Sequence, residues 1–106
     1  MTGKERRRDP RVQVLRPVKT RCAESGKFYA GRMRNVSAGG ALLEIDHPSL
    51  MVPGQPIRLG VAWADRQVVL DAGDMIDATV VRSLGRGPTQ HVAVQFAQRH
   101  QELVAA

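Results

Sequence analysis

Apolar side chains alternate with polar or small ones in a series of short runs along the chain. In the run Ile57–Val61 every second side chain is apolar, and Val92, Val94 and Phe96 fall on one face of another run. Such alternation is typical of half-buried β-strands. We predict strands over Val18–Ala23, Phe28–Val36, Ala41–Asp46, Ile57–Trp63, Met75–Leu84 and Gln90–Phe96, with a shorter extended piece at 67–70.

Glycine and proline separate these runs. Ser25-Gly26 is predicted to be a turn, His47–Pro56 a loop, and Gly85–Pro88 the break between the last two strands, because these residue types favour turns and interrupt ladders. Pro17 is expected to interrupt the strand-like stretch that starts at Val12. About six short strands with such turns and no helical pattern between them predict an all-β protein, either a barrel or a sandwich.

The C-terminal segment differs from the rest of the chain. Ala97–Ala106 has few turn formers and is predicted to form a short helix, with Leu103 and Val104 packing on the mouth of the β structure. At 106 residues the chain is most simply one domain. Its core candidates include four residues of the second strand, Phe28, Ala30, Met33 and Val36.

The charge balance is basic. Sixteen Lys and Arg against ten Asp and Glu give a formal net charge of +6, which favours an acidic or phosphorylated partner. The single cysteine, Cys22, excludes an internal disulfide and is expected to pack as a small hydrophobe. No apolar run approaches the roughly 20 residues that a membrane helix needs, and no apolar segment follows the basic residues of the N-terminus. We therefore expect a soluble, cytoplasmic protein without membrane insertion.

Residues 1–11 form a polar arm that is rich in arginine. Arg6, Arg7, Arg8 and Arg11 occur without apolar residues at strand or helix spacing, so the arm is expected to be flexible. It could be a solvated basic tail that touches nucleic acid nonspecifically. Alternatively, the planar guanidinium groups suit a ligand with phosphate oxygens and flat bases.

A polar, glycine-rich corner, Asn35–Gly40, separates the second and third predicted strands. Asn35 and Ser37 can hydrogen-bond to nearby backbone, and Gly39 and Gly40 can adopt positive φ, so that successive N–H groups point into a small concavity. Such a corner suits an anionic or oxygen-rich ligand. The alternative interpretation is a hairpin turn whose glycines serve only the backbone.

Two separated motifs can be taken together. Arg-x-x-x-Arg occurs at Arg7 and Arg11, and Asn-x-Ser-x-x-Gly follows at Asn35, Ser37 and Gly40. In this order, ahead of a strand-rich chain that ends in Val-Ala-Val-Gln-Phe, the pair resembles the PilZ domain family over the stretch from Glu5 to about Phe96.

The resemblance implies a six-stranded antiparallel β-barrel over residues 12–106, with the C-terminal helix, preceded by the flexible arm 1–11. It also implies a receptor for the bacterial second messenger cyclic di-GMP. We expect binding of this ligand to order the flexible arm and the receptor to signal through a protein partner. The implied ligand-binding residues are Arg6, Arg7, Arg11, Asn35, Ser37, Gly39 and Gly40.

The sequence argues against several other classes of protein. His47, His91 and His100 are far apart and no metal-ligand spacing accompanies them, and Ser37 lacks a nucleophile elbow, so we expect neither a metal or other cofactor nor an enzyme. Aromatic residues make up 4% of the chain, too few for the stacking platforms of a single-strand nucleic-acid binder. A PilZ-like adaptor that binds no nucleotide is a further alternative.

Asn35 stands where many PilZ domains have Asp. A carboxylate can accept both N1–H and N2–H of a guanine, whereas an amide offers one acceptor oxygen and a donor. We therefore predict that Asn35→Asp tightens the binding of cyclic di-GMP, measured as the dissociation constant by calorimetry. An unchanged or weaker affinity would refute the proposed contact.

Overall fold

Six antiparallel strands pair into a closed ring in the part of the chain that the computed structural model describes, residues 12–47, 49–61 and 75–100. The strands are β1 (Val12–Cys22), β2 (Phe28–Val36), β3 (Gly40–Ile45), β4 (Pro56–Val61), β5 (Ile76–Arg86) and β6 (Thr89–Phe96). Their order around the ring is β1-β2-β3-β6-β5-β4, and β4 pairs with β1 to close it. The predicted six-stranded antiparallel barrel is confirmed, and the sandwich is excluded because no strand is left as a sheet edge.

The core fills the interior of this barrel. It is built from alternate, inward-facing side chains of all six strands, together with Met51 from the loop between β3 and β4. The predicted common face of Val92, Val94 and Phe96 is confirmed, since all three side chains are buried. The largest fully buried side chains of the core are Met33, Leu43, Ile45, Ile57 and Leu59.

The core assignment was only half correct in β2. Met33 and Val36 are buried, but Phe28 is 54% exposed and Ala30 also faces solvent. The reason is the phase of the strand: Gly31 and Met33 face inward, so the positions between and before them face outward. Apolar character alone therefore did not identify the inner face.

Strand β1 continues through Pro17, so the predicted interruption was wrong. Pro17 is the register partner of Arg32 on β2, between the pairs Arg16–Met33 and Val18–Gly31, so the pairing of β1 with β2 runs through the proline.

The two predicted turns at glycine are present in the structure. Gly26 has a φ of 71° and its N–H donates to the carbonyl of Cys22 at 2.8 Å. Gly87, with a φ of 62°, turns the chain between β5 and β6. Strand β5 runs on to Arg86, so the break is confined to Gly87 and Pro88 rather than starting at residue 85.

A buried glutamine holds the proline-rich loop between β3 and β4 on the barrel. Gln90 of β6 is fully buried, and its Oε1 accepts from the N–H of Met51 at 2.9 Å. Its Nε2 donates to the carbonyls of His47 at 2.9 Å and Ser49 at 2.6 Å. The Gln90 side chain thus provides hydrogen-bond partners for three backbone groups of a loop that is not part of a β-strand.

Residues 97–100, where the C-terminal helix was predicted to begin, do not form a helical turn. Instead they follow the barrel: the N–H of Ala97 donates to the backbone carbonyl of Asp77 at 2.9 Å, and that of His100 donates to the backbone carbonyl of Ala38 at 2.7 Å. Three predictions lie outside the described residues: the rest of that helix, the arginine-rich arm, and the end of the fourth predicted strand at Trp63. The described part of the chain contains no helix long and apolar enough to cross a membrane.

We predict that Gln90→Leu lowers the free energy of unfolding by about 1–3 kcal/mol, because the three backbone groups that it satisfies would lose their partner. Chemical denaturation measures the change. The matched control is Gln95→Leu on the same strand, since the Gln95 side chain is exposed. Equal denaturation midpoints for the two variants would contradict the role given to Gln90.

Candidate ligand-binding site

A pocket of about 300 Å³ lies on the outer wall of the barrel, over the junction of β2, β3, β6 and β5. Four of the predicted site residues line it: Asn35, Ser37, Gly39 and Gly40. Its other walls come from Leu42 on the adjoining strand β3 and, on strands distant in sequence, from Arg82, Ala93 and Gln95. The fold therefore brings the glycine-rich corner together with residues of β5 and β6.

A β-bulge in β2 turns Asn35 toward this pocket. Met33 pairs with Leu43 and Asn35 pairs with Leu42, so Arg34 is an extra residue opposite β3. Before the bulge Met33 faces the core, and after it Val36 does. The extra residue thus moves Asn35 from the inner to the outer face, which is the effect that a bulge has on strand alternation.

A second bulge has the same effect on Arg82. Val80 pairs with Val94 and Arg82 with Ala93, which leaves Val81 as the extra residue of β5. Ala78 and Val80 face the core, and regular alternation would send Arg82 inward too. With the bulge, Val81 and Arg82 are both exposed.

The two bulges place Asn35 and Arg82 in one lateral row. Asn35 is the register partner of Leu42, Leu42 of Ala93, and Ala93 of Arg82. The row thus crosses four neighbouring strands, and all four residues are at least partly exposed. Sequence reasoning missed Arg82 because it treated Met75–Leu84 as one regular strand. The available signal was a charged residue at a position that regular alternation assigns to the core.

Backbone hydrogen bonds to the carbonyl groups of Ala38, Gly39 and Gly40 hold the corner in place. Ser37 N–H donates to Gly40 O at 2.8 Å, Phe96 N–H to Gly39 O at 2.8 Å and His100 N–H to Ala38 O at 2.7 Å. The Ser37 hydroxyl adds only a long contact to Gly40 O, at 3.4 Å. The backbone of β6 and of the segment that follows it therefore fixes the corner.

The glycines of the corner have a role different from the expected one. Neither Gly39 nor Gly40 adopts a positive φ; among the described glycines only Gly26, Gly54 and Gly87 do. At Gly40 a Cβ would instead collide with the backbone carbonyl of Val94 on β6. Gly40 is therefore needed for the close approach of β3 to β6, whatever ligand binds above it.

The predicted arginines Arg6, Arg7 and Arg11 lie outside the described residues. The first described residue, Val12, is the register partner of Val36. Arg11 therefore immediately precedes a residue that pairs with the strand that leads into the corner.

A charged cluster flanks the pocket on the outer face of β2, β3 and β6. Glu44 accepts from Arg34 at 3.0 Å and from Arg32 at 3.3 Å, and His91 lies 3.6 Å from its second oxygen. Arg32 also pairs with Asp46 at 3.1 Å. The hydrogen bond from Arg34 is the main cause that holds the pKa of Glu44 below its ordinary value, against the opposing effect of burial. The cluster neutralises the arginines of β2.

Arg82 differs from these arginines. Arg32, Arg34 and, on β4, Arg58 are all ion-paired, the last with Asp77 at 2.9 Å. Among the described residues no carboxylate pairs with Arg82, and it lines the pocket beside Asn35 and Ser37. The same part of the chain contains no cluster of side chains suited to a metal ion.

Several solved structures have a similar fold. The Bacillus subtilis inhibitor of motility MotI/DgrA has a TM-score of 0.67 at 17% identity, over 92% of this chain and 46% of that one. The PilZ domain of Escherichia coli YcgR with cyclic di-GMP has a TM-score of 0.60 at 16% identity, over 88% and 79%. The K. pneumonia MrkH complex with cyclic di-GMP has a TM-score of 0.58 at 19% identity, over 95% and 51%. The chain thus spans about half the length of MotI/DgrA and MrkH.

No curated protein matches the chain in sequence. The model of one family does: the PilZ domain matches residues 5–105, which is nearly the whole chain and includes both motifs. The chain belongs to the PilZ domain family.

Proposed function

We propose that this chain is a receptor module for cyclic di-GMP that signals through a protein partner. Its membership of the PilZ family supports this proposal, as do similar folds in YcgR and MrkH structures that contain cyclic di-GMP. The observation that carries the proposal is the outer-wall pocket, where Asn35, Ser37, Gly39 and Gly40 meet at one site.

The position of the arginine motif relative to this pocket supports the proposal. Val12 pairs with Val36, at the edge of the corner, and Arg11 is its direct neighbour in the chain. Consecutive Cα atoms are about 3.8 Å apart, so covalent connection alone keeps Arg11 close to the pocket. Arg7 lies four residues before Arg11 in the sequence, a distance that a short extended segment can span.

The chemistry of these residues fits a cyclic dinucleotide. The ligand presents two phosphates and two guanine bases, and arginine can bind a phosphate through its fork of donors or the O6/N7 edge of guanine. Asn35 and Ser37 supply neutral donors and acceptors for a base edge or a phosphate oxygen. The basic arm contributes Arg6, Arg7 and Arg11, and the barrel wall contributes the polar corner.

Signalling follows from the ordering of the arm. Fixing the backbone of a flexible segment costs about 1–2 kcal/mol per residue, which contacts to the ligand must offset. Binding would then convert residues 1–11 from an open arm to a closed one over the barrel wall. The surface created in this way is what a partner protein would recognise.

We predict that the protein binds cyclic di-GMP saturably, at micromolar or lower concentration, and that Arg7→Ala and Arg11→Ala each abolish binding. Each substitution removes one charge-assisted fork of the arginine motif. Isothermal titration calorimetry at physiological salt measures this. Lys19→Ala, on the exposed side of β1, is the control for the loss of one positive charge.

The same titration includes a short single-stranded DNA. If the protein bound the DNA in a salt-sensitive way and did not bind cyclic di-GMP, the proposed receptor function would be wrong and the protein would be a nucleic-acid-binding protein. If neither compound produced a binding heat, the remaining interpretation would be an adaptor domain that binds only proteins.

A second prediction separates binding from folding within the corner. Ser37→Ala removes only the long hydroxyl contact and keeps the Ser37 N–H bond to Gly40. We therefore expect a shift in the free energy of unfolding below about 1 kcal/mol, together with weaker binding of cyclic di-GMP. Chemical denaturation and calorimetry on the same sample give both values.

Gly40→Ala is the counterpart of Ser37→Ala. Because its Cβ would meet the backbone carbonyl of Val94, we expect this variant to lose stability as well as affinity. If Ser37→Ala lost as much stability as Gly40→Ala, the hydroxyl would be a structural group and its role in binding would be unsupported.

A further inference from the structure

A third source of ligand contacts, besides the arm and the corner, lies on β5. We propose that Arg82 binds the cyclic dinucleotide directly, holding a phosphate from the β5 side of the pocket. This inference rests on the proposed function and adds a residue that belongs to neither sequence motif.

The lateral row gives the geometry of this arrangement. Asn35 and Arg82 stand at its two ends, with Leu42 and Ala93 between them. Neighbouring strands are about 4.8 Å apart, so three steps separate the Cα atoms of the end residues by about 14 Å. Because an arginine side chain is long, Arg82 can reach back over the row toward Asn35, and both residues line the same pocket.

The middle of the row is apolar. Leu42 and Ala93 are only partly buried, and they form a floor between a polar residue at one end and a cation at the other. A flat purine can lie on such a floor, since its face is apolar and its edges carry the hydrogen-bonding groups. A phosphate linked to that purine would then come within reach of Arg82.

The charge of Arg82 is available for this role. Arg32, Arg34 and Arg58 are bound to Glu44, Asp46 or Asp77, whereas the described residues contain no ion pair for Arg82. A second hollow of about 670 Å³ is lined by Arg82 together with Leu42, Ser83, Leu84, His91 and Ala93. Arg82 therefore lines both this hollow and the pocket.

The bulge at Val81 makes this placement possible. It interrupts the register between Val80 and Arg82 and leaves Val81, an apolar side chain, 52% exposed. Bulges are frequent next to binding sites, where they re-aim a side chain. Here the effect is to place a guanidinium on the wall that carries the Asn35–Gly40 corner.

The test is calorimetric titration of the full chain with cyclic di-GMP. We expect Arg82→Ala to raise the dissociation constant about tenfold or more, as for the loss of a charge-assisted hydrogen bond. The matched control is Arg58→Ala, which removes a partly exposed arginine of β4 and the same charge. Because its ion pair with Asp77 is exposed, its loss has little effect on stability.

The criterion is the ratio of the dissociation constants of Arg82→Ala and Arg58→Ala. A ratio above about fivefold supports direct binding by Arg82, and a lower ratio overturns it. Thermal unfolding verifies that each variant is folded; if Arg82→Ala is not, Arg82→Gln replaces it under the same criterion. Absence of binding by the unmodified chain would refute the proposed function itself, whereas normal binding with a low ratio would refute only the role of Arg82.

Discussion

The candidate site depends on the places where the alternation of two strands is interrupted. In a barrel whose interior is packed, each strand must send every second side chain inward, and regular alternation would send Asn35 and Arg82 into the core. One extra residue in each strand, Arg34 in β2 and Val81 in β5, reverses the phase at that point. Val36 then continues the core after the first bulge. These two insertions thus allow a closed, packed barrel to carry Asn35 and Arg82 on its outer wall.

The same part of the structure links the site to the stability of the barrel. Gly40 allows β3 to approach β6, and the carbonyls of Ala38 and Gly39 accept from His100 and Phe96. The corner that lines the pocket is therefore held by backbone contacts to β6 and to the segment after it. A substitution there can weaken binding through the fold or through the ligand, so stability and affinity must be measured together.

The arginines of this protein differ in whether a carboxylate pairs with them, and this difference matters more for anion binding than their number. The net charge of +6 suggests a diffuse attraction for anions. On the barrel wall, however, Glu44 holds Arg32 and Arg34, and this pairing is the reason that the pKa of the Glu44 carboxyl lies below its ordinary value. The arginine beside the pocket, Arg82, has no such partner among the described residues. Local pairing, rather than total charge, decides where a ligand anion is attracted.

The sequence by itself determined the class of fold, the approximate strands and the two motifs. Alternation over Ile57–Val61 and Val92–Phe96 is local, and turns at Gly26 and Gly87 follow from the backbone freedom of glycine, so neither needed the tertiary structure. The motif with Asn35 and Ser37 is likewise contiguous in the chain.

Only the tertiary structure decided which side chains share a surface. A bulge is defined by the register between two strands, and register is a property of the pair rather than of either sequence. For this reason Phe28 was assigned to the core although it is exposed, and Arg82 was not identified although it lines the pocket. The role of Gly40 could not be predicted from the sequence either. A side chain at this position would collide with the backbone of β6, which lies more than fifty residues later in the chain.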